Sequence, residues 1–399
     1  MTSFERIVLV PFDQLSFDHG AMASADPKAD LIVLVESQRM LTNRDWHPER
    51  LFFMVSSARH FAKVAREKGF TVDYRRSATT PEGVREIWEQ YGRLPTVSAE
   101  PASFVQARQF AELGVEVVET DFFLTPRSLF FGWASQQKTY VMENFYRLQR
   151  VRLGILVEGS KPVSGRWNFD EDNRLPPPKN YVWPPRLTHS RDEIDLEVAA
   201  QLGHQATDLW ATTREGALNA LEHFIEHNLA GFGPLEDAST NDDWSLHHSL
   251  LSPYMNVGLL HAREVVDAAV AAFEKGLAPI QSVEAFVRQI IGWREYINGM
   301  YWFLGEDYAQ GNGLGAERDL LPVFNDSTKT NMNCVGSVVA DVEKRAWVHH
   351  IPRLMILSNL ALLSGTNPQQ FLDWMRENFI DASQWVMVPN VIGMGVHAD

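Results

Sequence analysis

The chain has 399 residues, of which 45% are hydrophobic and 11% aromatic, and a formal net charge of −15 at pH 7. That length suits two domains, since one hydrophobic core rarely grows past roughly 250 residues. The acidic balance argues against indiscriminate nucleic-acid binding, which depends on neutralising phosphates, and the single cysteine, Cys334, excludes an internal disulfide and an all-cysteine metal site made by one chain.

The N-terminus MTSFERIVLVPFD places Glu5 and Arg6 ahead of a short apolar run, unlike a secretion signal, and no later run is long and apolar enough to span a bilayer. A cytoplasmic, monomeric protein that does not enter membranes is expected. Short β-branched runs then alternate with amphipathic stretches: RIVLV (6–10), DLIVLVE (30–36), VSSARHFAKVAREKG (55–69), FTVDYRR (70–76), PEGVREIWEQYG (81–92) and VEVVET (115–120). Continuous apolar strands separated by helices belong to a sheet covered on both faces, so residues 1–130 predict an α/β domain with a doubly wound parallel sheet.

Residues 131–191 predict an interdomain connector, because GSKPVSGRWNFDEDNRLPPPKNYVWPPR is too rich in Pro, Gly and aromatics to form a regular element. From 192 to 399 the apolar residues recur with helical period, as in EIDLEVAAQLGHQATDLW and SVEAFVRQIIGWREYINGMYWFLG, which predicts an all-helical domain. Between 127 and 166 the chain carries Arg127, Lys138, Arg147, Arg150, Arg152, Lys161 and Arg166 against only Glu143 and Glu158. This basic stretch reads as either a solvated face or a contact surface for a phosphate backbone.

Two motifs are set aside. HFIEH (223–227) has the spacing of an inverted zinc-peptidase motif, but its apolar neighbours put His223 and His227 on the solvated face. GNGLG (311–315) lacks the strand and the full glycine spacing of a dinucleotide fingerprint. More informative is HHSLLSPYMNVGLL (247–260), where Ser252 and Pro253 mark a helix start whose free amides, with the hydroxyls of Ser249 and Ser252, suit a diphosphate. RQIIGWREYINGMYW (288–302) places Gln289, Trp293 and Tyr296 along one helical stripe, with Glu295 pointing elsewhere. WVHHIPRLM (347–355) sets two histidines beside Pro352, which in a helix interior would orphan the Val348 carbonyl and kink the chain.

Taken in order, S-x-L-S-P-Y, Q-x-x-x-W-R-E-Y, W-x-H-H-x-x-R-L-M and DASQW (381–385) resemble the photolyase/cryptochrome superfamily. Through DQLS (13–16), GRWNFDEDNR (165–174), MNC (332–334) and VPNVIGM (388–394) the resemblance is closest to its bacterial iron-sulfur (6-4) branch. It implies an antenna-type α/β domain, an all-helical domain holding FAD, and light-driven repair of UV-damaged DNA. A cryptochrome-like blue-light photoreceptor that binds FAD without repair is the alternative. Ser249, Leu250, Leu251, Ser252, Gln289, Trp293, Tyr296, His349, Arg353, Asp381 and Asn390 match cofactor-binding positions, and Arg353 is expected to pair with Asp381.

By the same resemblance His350, assisted by His349, matches the catalytic histidine that faces the flipped lesion. Trp374 matches the electron-transfer position, and Glu295, Met394, Arg166 and Asn168 match positions that contact DNA. Asp13 and Glu36 match polar positions of a ribityllumazine antenna site, although Phe12 replaces the glycine of its turn. The chain also departs from the branch. With Cys334 alone, and GMGVHAD where relatives continue, no iron-sulfur cluster is expected, and Cys334 is expected to be a buried packing residue. Met387 stands where a glutamate is common, and Asn325 and Asp326 stand where an aromatic pair is common.

Overall fold

The computed structural model describes residues 4–399; the first three residues of the N-terminal segment lie outside it. Five strands form one parallel sheet in the order β3-β2-β1-β4-β5: β1 Arg6–Leu9, β2 Asp30–Ser37, β3 Thr71–Ser77, β4 Thr96–Ala99 and β5 Glu116–Val118. The order reverses at β1, which pairs with both β2 and β4, as a doubly wound sheet requires. Three helices make the crossovers: α1 Pro48–Glu67, α2 Thr80–Tyr91 and α3 Phe104–Leu113. Thr79 and Ser103 cap α2 and α3 by accepting from the amides of Glu82 and Gln106.

One face of the sheet builds its core from Ile7, Leu9, Leu31, Val33 and Val35 against Val84, Ile87, Phe110 and Leu113. The helix lies close enough that a Cβ on Gly83 would come within 2.7 Å of Val35 Cγ1, so that position excludes a side chain. Burial of this apolar surface, at about 25 cal/mol per Å², is the main term holding the sheet together.

Two compact units emerge. One combines the residues up to Phe122 with Thr188–Ala217 and Pro253–Leu260; the other combines Phe123–Leu187, Leu218–Ser252 and His261–Asp399. They interleave along the chain, whereas the sequence reading set successive blocks at 1–130, 131–191 and 192–399. The reason is visible at helix α4, Glu193–Leu202, which packs in the sheet unit: Asp192 at its start sits 3.1 Å from His60 on α1, and His204 just past its end sits 2.7 Å from Glu49. Helical periodicity reveals a helix and is silent about its partner.

The second unit is helical apart from a short hairpin, Val157–Glu158 with Lys161–Pro162. Helix Arg127–Ala134, which straddles the expected boundary at 130, and helix Met142–Leu153, inside the expected connector, precede that hairpin. Its central helix, α5, runs through 280–304 and includes a π segment at Arg288–Arg294. Helix α6 runs through 350–364 with a π segment at Pro352–Ser358, followed by α7 Pro368–Asn378 and by α8 over 384–395. Among the described residues, no helix is long and apolar enough to cross a membrane.

Candidate functional site

The chain around WVHHIPRLM is built differently from the sequence expectation. Helix α6 begins at His350, so Pro352 falls in its first turn, where a missing N–H costs nothing; no interior kink forms. The Val348 carbonyl accepts instead from Arg353 Nε at 2.7 Å. The same guanidinium grips Asp381 through two bonds, Nη1 to Oδ1 at 2.9 Å and Nη2 to Oδ2 at 3.1 Å. Ser252 Oγ donates to Asp381 Oδ2 at 2.8 Å, and the guanidinium lies 4.2 Å from the Phe379 ring centroid. A planar fork on a carboxylate, further bonded on both sides, is the arrangement that makes a buried ion pair tolerable.

Beside this pair lies a histidine cluster. His349 is buried and stacks on His248 at 4.6 Å between centroids, with 24° between the planes. Burial, followed by the neighbouring His248 and the Arg353 charge, pushes the His349 pKa down to about 2. Burial, followed by His350, pushes His248 down to about 3. Both rings are therefore neutral at pH 7. His350 is exposed at the helix start; crowding by protein, and then Arg353, lowers its pKa while Asp237 opposes the shift.

The polar atoms left over are the informative ones. His349 Nδ1, His248 Nε2 and Trp244 Nε1 are all buried with no hydrogen-bond partner in the protein. They gather around Trp347, whose ring is 5.5 Å from Trp244, 6.1 Å from His248 and 5.9 Å from the Arg353 guanidinium. Buried polar groups are almost always satisfied, so several orphaned nitrogens in one place mark where a ligand with donors and acceptors belongs. Trp244 was not singled out in the sequence, and His248 and Trp347 stood there only as letters of HHSLLSPYMNVGLL and WVHHIPRLM, with no role assigned. The signal was there in a second adjacent histidine pair, 247–248, one residue before the serine-containing turn.

The family model described as deoxyribodipyrimidine photo-lyase-related protein matches residues 8–215. A (6-4) photolyase of Agrobacterium fabrum (strain C58) is 39% identical over 415 aligned residues, covering 99% of this chain and 82% of that protein. The chain belongs to the photolyase-related family. A bacterial class III photolyase from Agrobacterium tumefaciens shares the fold, with a TM-score of 0.66 at 17% identity, covering 100% of this chain and 82% of the other.

In this photolyase-related chain the other expected site residues are scattered more widely. Leu250 takes a left-handed conformation, φ 57°, in the turn before Ser252, and Leu251 is fully buried; Ser249 Oγ accepts from the Leu251 amide at 3.4 Å. Such strain in a non-glycine residue is typical of turns shaped around a ligand. Gln289 Nε2 donates to the Ala285 carbonyl at 3.4 Å, and Asn390 Nδ2 to that of Val386 at 2.8 Å. Across the π segment at Arg288–Arg294 the rings of Trp293 and Tyr296 still meet edge to face at 6.2 Å. Tyr296 also donates to the Tyr140 carbonyl at 3.0 Å and packs with Phe130, Trp133 and Phe145. Trp374 is buried, donates to the Phe324 carbonyl at 2.6 Å and meets Phe379, the ring beneath Arg353, at 6.0 Å.

The remaining expected positions differ in burial and partners, and Arg150 and Cys334 need correction. Glu295 is 1% exposed, accepts from the Thr125 amide at 2.7 Å and from Arg294 at 2.9 Å, and its pKa is raised by burial. Arg166 is exposed but paired with Asp172 at 2.6 Å, and Asn168 is within 3.4 Å of Glu143. Arg150, counted within the basic stretch, is fully buried and donates to the carbonyls of Ile155, Leu156 and Trp167. Cys334, expected to pack inside, is exposed. Met394 is half-buried in the terminal π segment, and Met387 is buried. His223 points one ring nitrogen at the Pro185 carbonyl at 2.9 Å, and among the described residues neither it nor His227 joins a third metal-ligand type.

In the sheet unit, Glu36 is buried and taken up by Arg59 at 2.9 Å, Tyr74 Oη at 2.6 Å and Gln201 at 3.1 Å. Phe12 is buried and stacks on Tyr74 at 6.1 Å. The Asp13 carboxyl receives Gln106 at 3.4 Å, and burial raises its pKa.

Proposed function

We propose that this chain is a light-driven repair enzyme for UV-damaged DNA of the (6-4) type, working with bound FAD. The observation that carries the reading is the pairing of an exposed imidazole, His350, with a buried neutral one, His349, beside the Arg353–Asp381 ion pair. FAD suits the residues present. It offers ring nitrogens and carbonyl oxygens to the orphaned nitrogens of His248, His349 and Trp244, and an electron-accepting ring to a fixed guanidinium.

Bound and reduced, FAD supplies the electron that light delivers to the lesion. The protein does the rest. Arg353 and Asp381 hold a balanced charge pair whose orientation Ser252 and the Val348 carbonyl lock. His349, neutral and stacked on His248, stays a hydrogen-bonding group and takes no part in titration near neutrality. His350 gives a proton from a ring nitrogen to the photoproduct, and its lowered pKa makes its charged form a stronger acid than free imidazolium. Extruding the damaged bases costs a few kcal/mol, least where damage has already weakened the stack.

The test is illumination of flavin-loaded protein with a chemical reductant on DNA containing one (6-4) lesion. Repair is expected, and His350→Gln should retain flavin while losing roughly 10²- to 10⁴-fold in rate. Because His350 acts protonated, the rate should fall as pH rises through a value below the ordinary ~6.5. The second reading, a blue-light photoreceptor without repair, is favoured by the arginines of 127–166 that are engaged internally, Arg150 above all. Flavin-loaded wild-type protein that leaves the lesion intact would select it.

A further inference from the structure

On the other flank of His248 sits a tyrosine–imidazole pair that the proposed repair does not use. Tyr181 Oη is 2.8 Å from His247 Nε2, and His247 Nδ1 is 3.0 Å from the Asn228 carbonyl oxygen. A carbonyl can only accept, so Nδ1 carries the hydrogen. Burial lowers the His247 pKa and keeps the ring neutral, which leaves Nε2 as a lone pair and makes Tyr181 the donor. Trp183 is 4.7 Å from the Tyr181 ring and 5.9 Å from His247. Gly231 forms the floor: a Cβ there would lie 2.3 Å from His247 Cε1, so the imidazole rests on bare backbone.

The pair adjoins solvent at Tyr181 and is followed in the chain by His248 of the site. Tyr181 and Trp183 are half-buried, and Val182 between them is 87% exposed, so small molecules in solution reach this edge. Inward, the next residue is His248, whose ring meets His349 at 4.6 Å and Trp347 at 6.1 Å. A phenol serving only to pin the proline-rich segment could use any carbonyl. This one faces a base, so its proton has somewhere to go.

We propose that Tyr181 and His247 form a proton-coupled redox pair that relays electrons from solution toward Trp347. Only the final acceptor rests on the flavin reading; the chemistry of the pair does not. Once Trp347 has lost one electron to the site, Tyr181 returns it. The Tyr181 O–H bond breaks, the proton forms a new N–H bond at His247 Nε2, and a neutral tyrosyl radical faces an imidazolium. A thiolate in solution, its proton already lost to water, then gives one electron to the radical and becomes a thiyl radical, while the proton returns from His247 to Tyr181 Oη. The thiyl radicals so formed couple to a disulfide.

The pair can be tested without flavin. Flash photolysis of the full-length apo chain with a ruthenium polypyridyl photo-oxidant should produce a tyrosyl radical, read by transient absorption and electron paramagnetic resonance, that forms more slowly in D2O. Tyr181→Phe, which keeps the ring packing, should remove that isotope-sensitive fraction, and His247→Gln should slow it roughly 100-fold, the contribution of a positioned base. Equal yield and isotope effect in wild type and Tyr181→Phe would overturn the pair. In flavin-loaded protein with dithiothreitol, Tyr181→Phe should also slow photoreduction; an unchanged rate there would overturn the relay toward the site. Failure of the wild type to bind flavin would count against the proposed function and leave the apo result to judge the pair.

Discussion

Two polar clusters in this molecule look alike in the sequence and differ in what they leave unsatisfied. Around Glu36, in the sheet unit, the carboxylate is matched by Arg59, Tyr74 and Gln201, and Phe12 stacks against the tyrosine. Around His349, in the helical unit, an equally buried group of rings keeps Nδ1 of His349, Nε2 of His248 and Nε1 of Trp244 without partners. A network that completes itself stabilises a fold, whereas one with atoms to spare is shaped for something else.

Breaking each cluster should separate the two roles. Asp381→Ala leaves the Arg353 charge buried and alone, which should cost about 3–5 kcal/mol and abolish flavin retention; urea unfolding and the blue absorbance of desalted protein read the two effects. Glu36→Ala leaves Arg59 with Glu197 at 3.3 Å but takes the acceptor from the Tyr74 hydroxyl, and should cost about 1–3 kcal/mol, with flavin content unchanged in the protein that remains folded. Flavin loss in the second variant would erase the distinction.

Acid sharpens the comparison. His248 and His349 have folded pKa values near 3 and 2, below the ordinary ~6.5 that they regain on unfolding. The unfolded chain therefore binds protons first. The stability these neutral rings contribute is complete above pH ~6.5 and is lost as pH falls toward the folded values, on the order of 1 kcal/mol per pH unit for each ring. His248→Phe keeps the stack and should remove one of the two shares, measured as a shallower fall in unfolding free energy between pH 6 and pH 4. The smallest effect is expected at Pro352→Ala. Because the proline lies in a first turn and Arg353 Nε already serves the Val348 carbonyl, stability should change by less than about 1 kcal/mol and flavin retention should not change.

Much of this arrangement was legible beforehand, for identifiable reasons. The uninterrupted apolar runs of β1 and β2 announced a sheet covered on both faces. The family resemblance paired Arg353 with Asp381, which the structure joins across 28 residues. Regular periodicity misled where a helix boundary was not visible in it: a helix start at His350 put Pro352 in a first turn and removed the expected kink. Charge counting misled at Arg150, since a sequence does not show which carbonyls engage a guanidinium. Orphaned nitrogens are a property of packing alone, so His248 came into view only in three dimensions.

The most direct measurement is the flavin stoichiometry of purified protein after incubation with FAD and gel filtration. The arrangement of His248, His349, Arg353 and Asp381 predicts close to one flavin per chain, seen as blue absorbance that travels with the protein. A folded protein that elutes colourless after saturation with FAD would contradict it.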